Sequence, residues 1–214
     1  MDQKIFVQNI RRELGKKLPG QTYQYQMAPD DRRLQNLVKV GKPKDAAVLI
    51  LLSSFHNGPE LVFIKRTLYP GPHSGQISFP GGKADPSDPD LEYTALRETQ
   101  EEIGVPSKQI RIIGSLTPLE IPVSHFKVHP FIGIGDGISH FSIQKEEVQF
   151  LLFERLEVLI DPANLATMEV MIQNKPVHVP CYRVGEHRIW GATAMILSEF
   201  LEVIRRAGLI NSKL

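Results

Sequence analysis

The sequence predicts an α/β fold, and three stretches of the chain carry that prediction. Residues 46–52 are seven consecutive apolar residues, and this length and apolarity are typical of a buried strand. A central helix is predicted from Pro89 onward, because Asp88 can cap it and proline suits the first helical position, where a missing N–H costs nothing. Gly104 ends this helix. Residues 193–207 are a second predicted helix, with apolar residues at helical spacing.

The remaining predicted elements place strands on both sides of the central helix. Residues 61–66 return as a strand and form a hairpin with residues 46–52. Residues 128–134 are predicted to be an edge strand, because Pro130 cannot donate to a ladder. Further strands are predicted at residues 110–116, 149–156, 177–184 and 187–190, the last two joined at Gly185, with a loop at 117–123.

Length and composition indicate one globular domain with an N-terminal addition. The chain has 214 residues, of which 42% are apolar and 23% are charged, and these are ordinary values for a domain that can bury a core. We expect the domain at residues 41–214. An N-terminal part at residues 1–40 is expected to pack on it, with an amphipathic helix at 2–14 and an irregular extension at 21–40.

Charge and cysteine content argue against several classes of protein. The net charge is +1 without a basic block, which does not favour nucleic-acid binding. No apolar run has the length of a membrane span, and no secretory pattern is present. The single cysteine, Cys181, allows no disulfide, so a reducing compartment is expected and the cytoplasm is the first interpretation. The alternative is the peroxisome, because Ser212, Lys213 and Leu214 form a peroxisomal address in eukaryotes.

Three glutamates crowd one face of the predicted central helix. Glu98 and Glu102 are spaced i, i+4, and Glu98 and Glu101 are spaced i, i+3. Like charges at these spacings destabilise a helix by a few tenths of a kcal/mol per pair, whereas a bound Mg²⁺ would reverse the sign of that effect. Arg97 is placed to pair with Glu101 and hold it in one rotamer.

The residues before this helix favour a ligand site over a solvated acidic face, which is the ordinary interpretation of such a cluster. Gly81 and Gly82 allow the backbone to approach a ligand closely. Arg66 ends a predicted strand that leads toward the glutamates, which makes it a candidate phosphate contact. The seven histidines show no His-x-x-x-His spacing, so no zinc site is expected.

This combination resembles the signature box of the Nudix hydrolases. The matching residues are Gly82 at the start, Arg97, Glu98, Glu101 and Glu102 in the core, and Gly104 and Val105 at the end. The box usually has a glutamate eight residues before the arginine, where this chain has Pro89. Either Asp85 or Asp88 takes over that role, or the role is vacant.

The preceding segment, residues 61–82, resembles the extended motif of the coenzyme A pyrophosphatase branch of that family. The matching residues are Arg66, His73, Gly75, Gln76, Phe79 and Pro80, and residues 190–194 match a later segment of the branch. The expected substrate contacts are Arg66, His73, Gly75, Gln76, Gly81 and Gly82.

The resemblance implies an α/β/α sandwich with a mixed β-sheet and a metal-dependent hydrolase. Mg²⁺ or Mn²⁺ would be bound by Glu98, Glu101 and Glu102, and Arg97 would orient these carboxylates. A neighbouring carboxylate would take the proton of the attacking water. Glu101 and Glu147 are the two candidates for that role, and the sequence does not separate them.

The substrate that the resemblance implies is coenzyme A or one of its thioesters, cleaved to 3′,5′-ADP and 4′-phosphopantetheine or its acyl form. One alternative is a Nudix pyrophosphatase that acts on ADP-ribose or a nucleotide sugar. The other is a non-catalytic nucleotide-binding module, which the intact glutamates and arginine argue against. The expected partner is a small nucleoside diphosphate derivative rather than a nucleic acid or a membrane, and a homodimer is left open.

Overall fold

The computed structural model describes residues 2–29, 41–71, 73–135, 137–172 and 175–209. The helices in these ranges are α1 (Gln3–Leu14), α2 (Gln21–Gln24), α3 (Leu91–Ile103), α4 (Leu156–Leu159) and α5 (Gly191–Arg206). The strands are β1 (Lys44–Ser54), β2 (Glu60–Arg66), β3 (Ile77–Ser78), β4 (Gly81–Lys83), β5 (Ile110–Ser115), β6 (Leu119–Ile121), β7 (Phe126–Gly135), β8 (Val148–Arg155), β9 (Leu165–Ile172), β10 (Lys175–Val184) and β11 (His187–Trp190). The peroxisomal address predicted at Ser212–Leu214 lies outside the described residues.

Strands β1 and β7 form the centre of an eight-stranded sheet. They run parallel, with Ala46 opposite Val128 and Leu52 opposite Ile134, and every other pair in this sheet is antiparallel. The order is β3-β2-β1-β7-β5, while β4 pairs with β1, β6 pairs with β7 and β8 pairs with β2. The mixed sheet and the β1–β2 hairpin are therefore confirmed.

Both faces of β1 are buried, which explains its uninterrupted apolar run. Successive side chains of a strand point to opposite faces, so alternate residues of β1 enter two different apolar clusters. The residues on the α3 side are Ala47, Leu49 and Leu51, and those on the side of α1 and α5 are Ala46, Ile50 and Leu52. Because helices cover both faces of the sheet, the architecture is the predicted α/β/α sandwich.

Strand β7 lies at the centre of the sheet, so the edge position predicted from Pro130 is wrong. The carbonyl of Pro130 accepts a hydrogen bond from Leu116 N at 2.9 Å. In a strand, the backbone nitrogen and the carbonyl of one residue point toward the same neighbouring segment. The ring nitrogen of Pro130 therefore faces the segment around Leu116, as its carbonyl does. There β5 has ended at Ser115 and β6 has not begun before Leu119. The missing donor therefore falls in a gap of the ladder.

Three further segments differ from the prediction. The loop predicted at 117–123 contains β6, which pairs with β7. The extension predicted as irregular contains α2 and a 3₁₀ turn at Tyr25–Met27, and its residues 30–40 lie outside the described ranges. Strand β9 was not predicted, and it forms the edge of an antiparallel sheet of order β11-β10-β9. The turn at Gly185 between β10 and β11 is confirmed.

A buried carboxylate on α5 ties the N-terminal part to the domain. Glu199 is fully buried, and its Oε1 accepts hydrogen bonds from Gly20 N at 3.0 Å and Thr117 Oγ1 at 2.7 Å. Its Oε2 accepts from Gln24 Nε2 at 2.8 Å. These bonds pair both oxygens of the buried carboxyl group with neutral donors. They also hold the segment between β5 and β6 against α5.

Candidate active site

The central helix α3 begins two residues later than predicted. Its N-cap is Asp90, whose Oδ1 accepts a hydrogen bond from Tyr93 N at 2.7 Å, so the cap predicted at Asp88 is wrong. The predicted end is confirmed, because Gly104 adopts the left-handed conformation with φ 72°. The shift leaves Asp88 in the loop before the helix, where its carboxylate is available for another contact.

Asp88 binds Arg97 through both carboxylate oxygens. Arg97 Nε lies 3.0 Å from Asp88 Oδ1, and Arg97 Nη2 lies 3.0 Å from Asp88 Oδ2. Thr94 Oγ1 donates a further bond to Asp88 Oδ2 at 2.8 Å. The hydrogen bonds from Arg97 lower the pKa of Asp88, so the pair stays ionised at neutral pH. Asp85 instead accepts hydrogen bonds from Ser87, so of the two aspartates it is Asp88 that binds Arg97.

Arg97 connects this loop to two of the predicted metal ligands. Its Nη1 donates to Glu98 Oε1 at 2.9 Å and to Glu101 Oε2 at 3.1 Å. Its Nη2 also donates to the carbonyl of Lys83 at 3.2 Å. A planar guanidinium with five N–H donors can hold several acceptors in fixed directions. Arg97 therefore orients Glu98 and Glu101 while Asp88 fixes Arg97 itself.

Glu98 lies directly over Gly82 of β4. A Cβ at position 82 would be 2.3 Å from Glu98 Oε2, so no residue other than glycine fits beneath this carboxylate without displacing it. Burial raises the pKa of Glu98, and the negative charges of Glu101 and Glu147 raise it further, while Arg97 acts in the opposite direction. The carboxylate is thus held in a place that disfavours its charge.

Glu102 is the most buried acid of the cluster, with 2% of its surface exposed. Its Oε2 accepts a hydrogen bond from Gly81 N at 2.8 Å, and its Oε1 lies 3.4 Å from Arg66 Nη1. Burial raises the pKa of Glu102 to about 8, with smaller contributions in the same direction from Glu98 and Glu147. Gly81 N and Arg66 therefore compensate this buried charge only in part.

Glu147 reaches the cluster because β8 pairs with β2. The carbonyl of Glu147 accepts from Thr67 N at 3.0 Å, which places this residue beside the end of β2. Its side chain is exposed, yet its charge raises the pKa of both Glu98 and Glu102. The structure thus brings Glu147 within electrostatic reach of the carboxylates on α3.

The carboxylates suit a hard divalent cation, although they do not form a closed cage. Among the described residues, no three His, Cys, Asp or Glu side chains are arranged so that they could enclose an ion. Mg²⁺ commonly binds through one or two carboxylates together with waters and substrate phosphates, so a closed protein cage is not required. Burial is the main cause of the raised pKa values of Glu98 and Glu102, the neighbouring carboxylates add to it, and a bound cation would offset both effects. The donor set therefore fits Mg²⁺ or Mn²⁺.

A cavity of about 290 Å³ opens beside Gly81 and Gly82. Three of the residues expected to contact the substrate, Arg66, His73 and Gln76, line it together with these two glycines. The other lining residues are Ala46, Val48, Tyr69, Ser78, Phe79, Ile121, Ser124, Phe126, Val128, Ala192, Thr193 and Ile196. The sequence offered no signal for Ser124 or Ile196, and the motif matches at residues 61–82 and 190–194 did not indicate that Ser78, Ala192 and Thr193 face one cavity, because the topology brings these distant segments together.

The loop between β2 and β3 gives its motif residues different positions. His73 has φ 67°, which is unusual for a residue with a side chain, and its Nδ1 lies 3.2 Å from Gln76 Oε1. Burial lowers the pKa of His73, and the charge of Arg66 lowers it further. Gly75 does not line the cavity; its N donates to Thr67 O at 3.1 Å and its φ is 64°. It therefore shapes the loop.

A comparison with protein families identifies the family of this chain. The model of the NUDIX domain matches residues 43–169, which is more than half of the chain. The chain belongs to the Nudix hydrolase family. It is accordingly a pyrophosphohydrolase, and the family generally uses divalent metals such as Mg²⁺ or Mn²⁺.

Two relatives of this Nudix hydrolase are similar over most of their length. An uncharacterized Nudix hydrolase, NudL, of Pectobacterium atrosepticum is 32% identical over 183 residues, which cover 83% of this chain and 88% of NudL. The human mitochondrial coenzyme A diphosphatase NUDT8 is 34% identical over 166 residues, which cover 76% of this chain and 70% of NUDT8. These similarities support a place near the coenzyme A pyrophosphatase branch.

Solved structures support the fold of this hydrolase. The Nudix hydrolase RenU of M. smegmatis has a TM-score of 0.53 and 17% identity, covering 80% of this chain and 91% of RenU. A MutT/nudix family protein of Enterococcus faecalis has a TM-score of 0.52 and 17% identity, covering 88% of this chain and 78% of that protein. Separately, none of the helices in the described ranges combines the length and apolarity needed to cross a bilayer.

Replacing Asp88 tests its position behind Arg97. Asp88→Asn keeps the shape of the side chain but removes the charge that holds Arg97, so Glu98 and Glu101 lose their fixed support. We expect kcat/KM for diphosphate hydrolysis to fall by about 10- to 100-fold, as for other residues that orient metal ligands. Asp85→Asn is the matched control, because Asp85 lies in the same turn and accepts from Ser87. Equal losses in both variants would contradict this role for Asp88.

Glu102 gives the metal-free protein a pH-dependent stability. The unfolded carboxyl loses its proton near its ordinary pKa of 4.5, whereas the folded one keeps it up to about pH 8. In this window the folded state binds more protons than the unfolded state, so the free energy of unfolding falls as pH rises. Urea unfolding with a chelator, from about pH 5 to about pH 8, should show this fall, and Glu102→Gln should reduce it. Glu154→Gln, on β8 and outside the carboxylate cluster, is the control, and an unchanged slope in Glu102→Gln would contradict the assignment.

Proposed function

We propose that this Nudix hydrolase cleaves the diphosphate bond of coenzyme A or an acyl-CoA, giving 3′,5′-ADP and 4′-phosphopantetheine or its acyl form. The observation that carries the proposal is the shared cavity: Arg66, His73 and Gln76, which match the coenzyme A branch, line it beside Gly81 and Gly82. The similarity to human NUDT8, a coenzyme A diphosphatase, supports the same substrate class.

The diphosphate would bind between the cavity and the carboxylates of α3. Arg66 ends β2 at this place, and a guanidinium can donate two parallel hydrogen bonds to a phosphate. Gly81 and Gly82 carry no side chains that would keep the substrate away from the backbone. His73, whose pKa is lowered, is suited to contact the substrate as a neutral ring. These residues bind and orient the phosphates.

A divalent cation is part of the proposal, with Glu98, Glu101 and Glu102 as the residues that would hold it. When bound, Mg²⁺ or Mn²⁺ supplies neutralisation of the phosphate charge and polarisation of the phosphorus. Arg97 holds Glu98 and Glu101 in place through its Nη1, at 2.9 and 3.1 Å. The substrate phosphates would then complete a site that the protein leaves open.

Glu101 and Glu147 are the two candidates for taking the proton of the attacking water. Glu101 is exposed and bonded to Arg97, whereas Glu147 is exposed beside the end of β2. Either can act as the general base when the water lies between carboxylate and phosphorus. Because Glu101 would also hold the cation, Glu147→Gln is the variant that separates the two: a large loss of kcat identifies Glu147 as the base, and a kcat near that of the wild type identifies Glu101.

We also propose the cytoplasm as the compartment of this hydrolase. Its support is the single cysteine, Cys181, which is buried and free and therefore suits a reducing environment. The peroxisome is the alternative, carried by the sequence of Ser212–Leu214 alone.

Incubation of the protein with coenzyme A and Mn²⁺ tests the proposed reaction. We expect release of 3′,5′-ADP, and we expect the double variant Glu98→Gln, Glu102→Gln to lose at least about 100-fold in kcat/KM, because the metal-dependent charge neutralisation is lost. Glu154→Gln, outside the site, is the control. Turnover of ADP-ribose or a nucleotide sugar without turnover of coenzyme A would overturn the substrate assignment, and an active double variant would overturn the metal assignment.

A further inference from the structure

Three polar atoms in the wall of the cavity are buried without a hydrogen-bond partner among the described residues. They are Arg66 Nε, Ser78 Oγ and Ser124 Oγ, and Gln24 Oε1 is the other such side-chain atom in the described ranges. More than nine-tenths of buried polar groups in proteins are paired, because an unpaired group loses its hydration without compensation. Unpaired atoms gathered around one cavity therefore point to a ligand that pairs with them.

The two ends of the cavity differ in charge. Arg66 and His73 belong to β2 and the loop after it, which is the side nearest the carboxylates. The opposite wall comes from β6, β7 and the turn before β7, and the start of α5 covers the cavity, with Thr193 Oγ1 bonded to Ile77 O of β3 at 3.1 Å. This wall and the cover carry no charged side chain among their described residues, which are Ile121, Ser124, Phe126 and Val128 in the wall and Ala192, Thr193 and Ile196 in the cover.

An anionic group would be unfavourable against this wall. A phosphate that leaves water needs cations or several donors, and the wall offers apolar surface and hydroxyl groups. An uncharged chain in which methylene and amide groups alternate matches it better. Its methylenes can pack on Val48, Phe126 and Ile196, and its amides can pair with hydroxyls, which both donate and accept.

The size of the cavity suits one part of a two-armed substrate. A volume of about 290 Å³ lies at the lower limit of the range for ligand pockets. The cavity can hold the arm on one side of a diphosphate, while the arm on the other side remains outside it. The charge of each arm therefore decides which of the two enters the cavity.

We propose that this cavity binds the uncharged, amide-containing arm of the diphosphate substrate, with hydrogen bonds from Ser78 and Ser124, and that the phosphorylated nucleoside stays outside it. For coenzyme A this arm is the pantetheine. This inference rests on the proposed function, which supplies the substrate, and it adds which end of the substrate enters the cavity. Ser78 and Ser124 are specificity-determining residues in this arrangement, since neither contacts the carboxylates of α3.

Separate binding measurements with each half of coenzyme A show which arm of the substrate occupies the cavity. We would measure the affinity of the full-length protein for 4′-phosphopantetheine and for 3′,5′-ADP by calorimetry, each in the presence of Mn²⁺. The variants are Ser124→Ala, which removes a hydroxyl, and Ala192→Leu, which fills the cavity from α5. Ser115→Ala is the matched control, because Ser115 is an exposed serine on β5 that does not line the cavity.

The expected result is a loss of affinity for 4′-phosphopantetheine alone. Ser124→Ala should weaken it about fivefold, as expected for one hydrogen bond, and Ala192→Leu should weaken it more than tenfold. The affinity for 3′,5′-ADP should stay within about twofold of the wild type in both variants, and the control should change neither affinity. Ala192→Leu acts through volume alone, so it also tests the proposal if Ser124→Ala does not fold.

Three patterns of affinity in the variants would overturn the proposal. They are a loss confined to 3′,5′-ADP, equal losses for both compounds, and unchanged affinities in both variants. A wild type that does not bind 4′-phosphopantetheine would overturn it as well. If coenzyme A is not hydrolysed while the expected binding pattern appears, the proposed reaction is wrong and the direction of the cavity stands.

Discussion

The crowding of carboxylates around α3 and β4 is the constraint on which the rest of this structure depends. Like charges at close range destabilise one another, and burial adds a further cost to each. Within the described residues, arginine hydrogen bonds to these carboxylates come from Arg66 and Arg97. The cluster consists of Asp88, Glu98, Glu101, Glu102 and Glu147. A divalent cation bound here would offset both costs, so the proposed metal would stabilise the folded protein as well as take part in its chemistry.

The sheet supplies the rigidity that such a cluster needs. Strand β1 is buried on both faces, and β4 pairs with it so closely that a Cβ at Gly81 would lie 2.3 Å from the carbonyl oxygen of Ala47. The backbone of β4 therefore has little freedom to move, and Glu98 and Glu102 rest against it from α3. The same strand borders the cavity, so the carboxylates and the cavity share one rigid support.

Sequence reasoning identified the parts that depend on local pattern. The burial of β1 followed from an uninterrupted apolar run, and the end of α3 followed from Gly104. Prediction from the sequence was wrong where a tertiary contact competes with a local preference. Asp88 is a suitable cap by residue type, yet its ion pair with Arg97 takes its carboxylate away from the helix, and Asp90 caps in its place. Pro130 is tolerated at the centre of the sheet because the ladder has a gap beside it.

Site residues from distant segments were the least predictable. Ser124 follows β6 and is an ordinary residue in its own sequence context, and Ala192 lies in the first turn of α5, where the match at residues 190–194 did not indicate a cavity. They face one cavity because β6 and β7 meet α5 there, and because Glu199 binds Thr117 and so holds this region to the helix. The glutamates of α3 were predictable because helical periodicity alone places them on one face. The most direct test of the central claim is the anomalous diffraction of crystals soaked with Mn²⁺. The account predicts an anomalous peak beside the carboxylates of Glu98 and Glu102, and a crystal whose only Mn²⁺ lies elsewhere would contradict it.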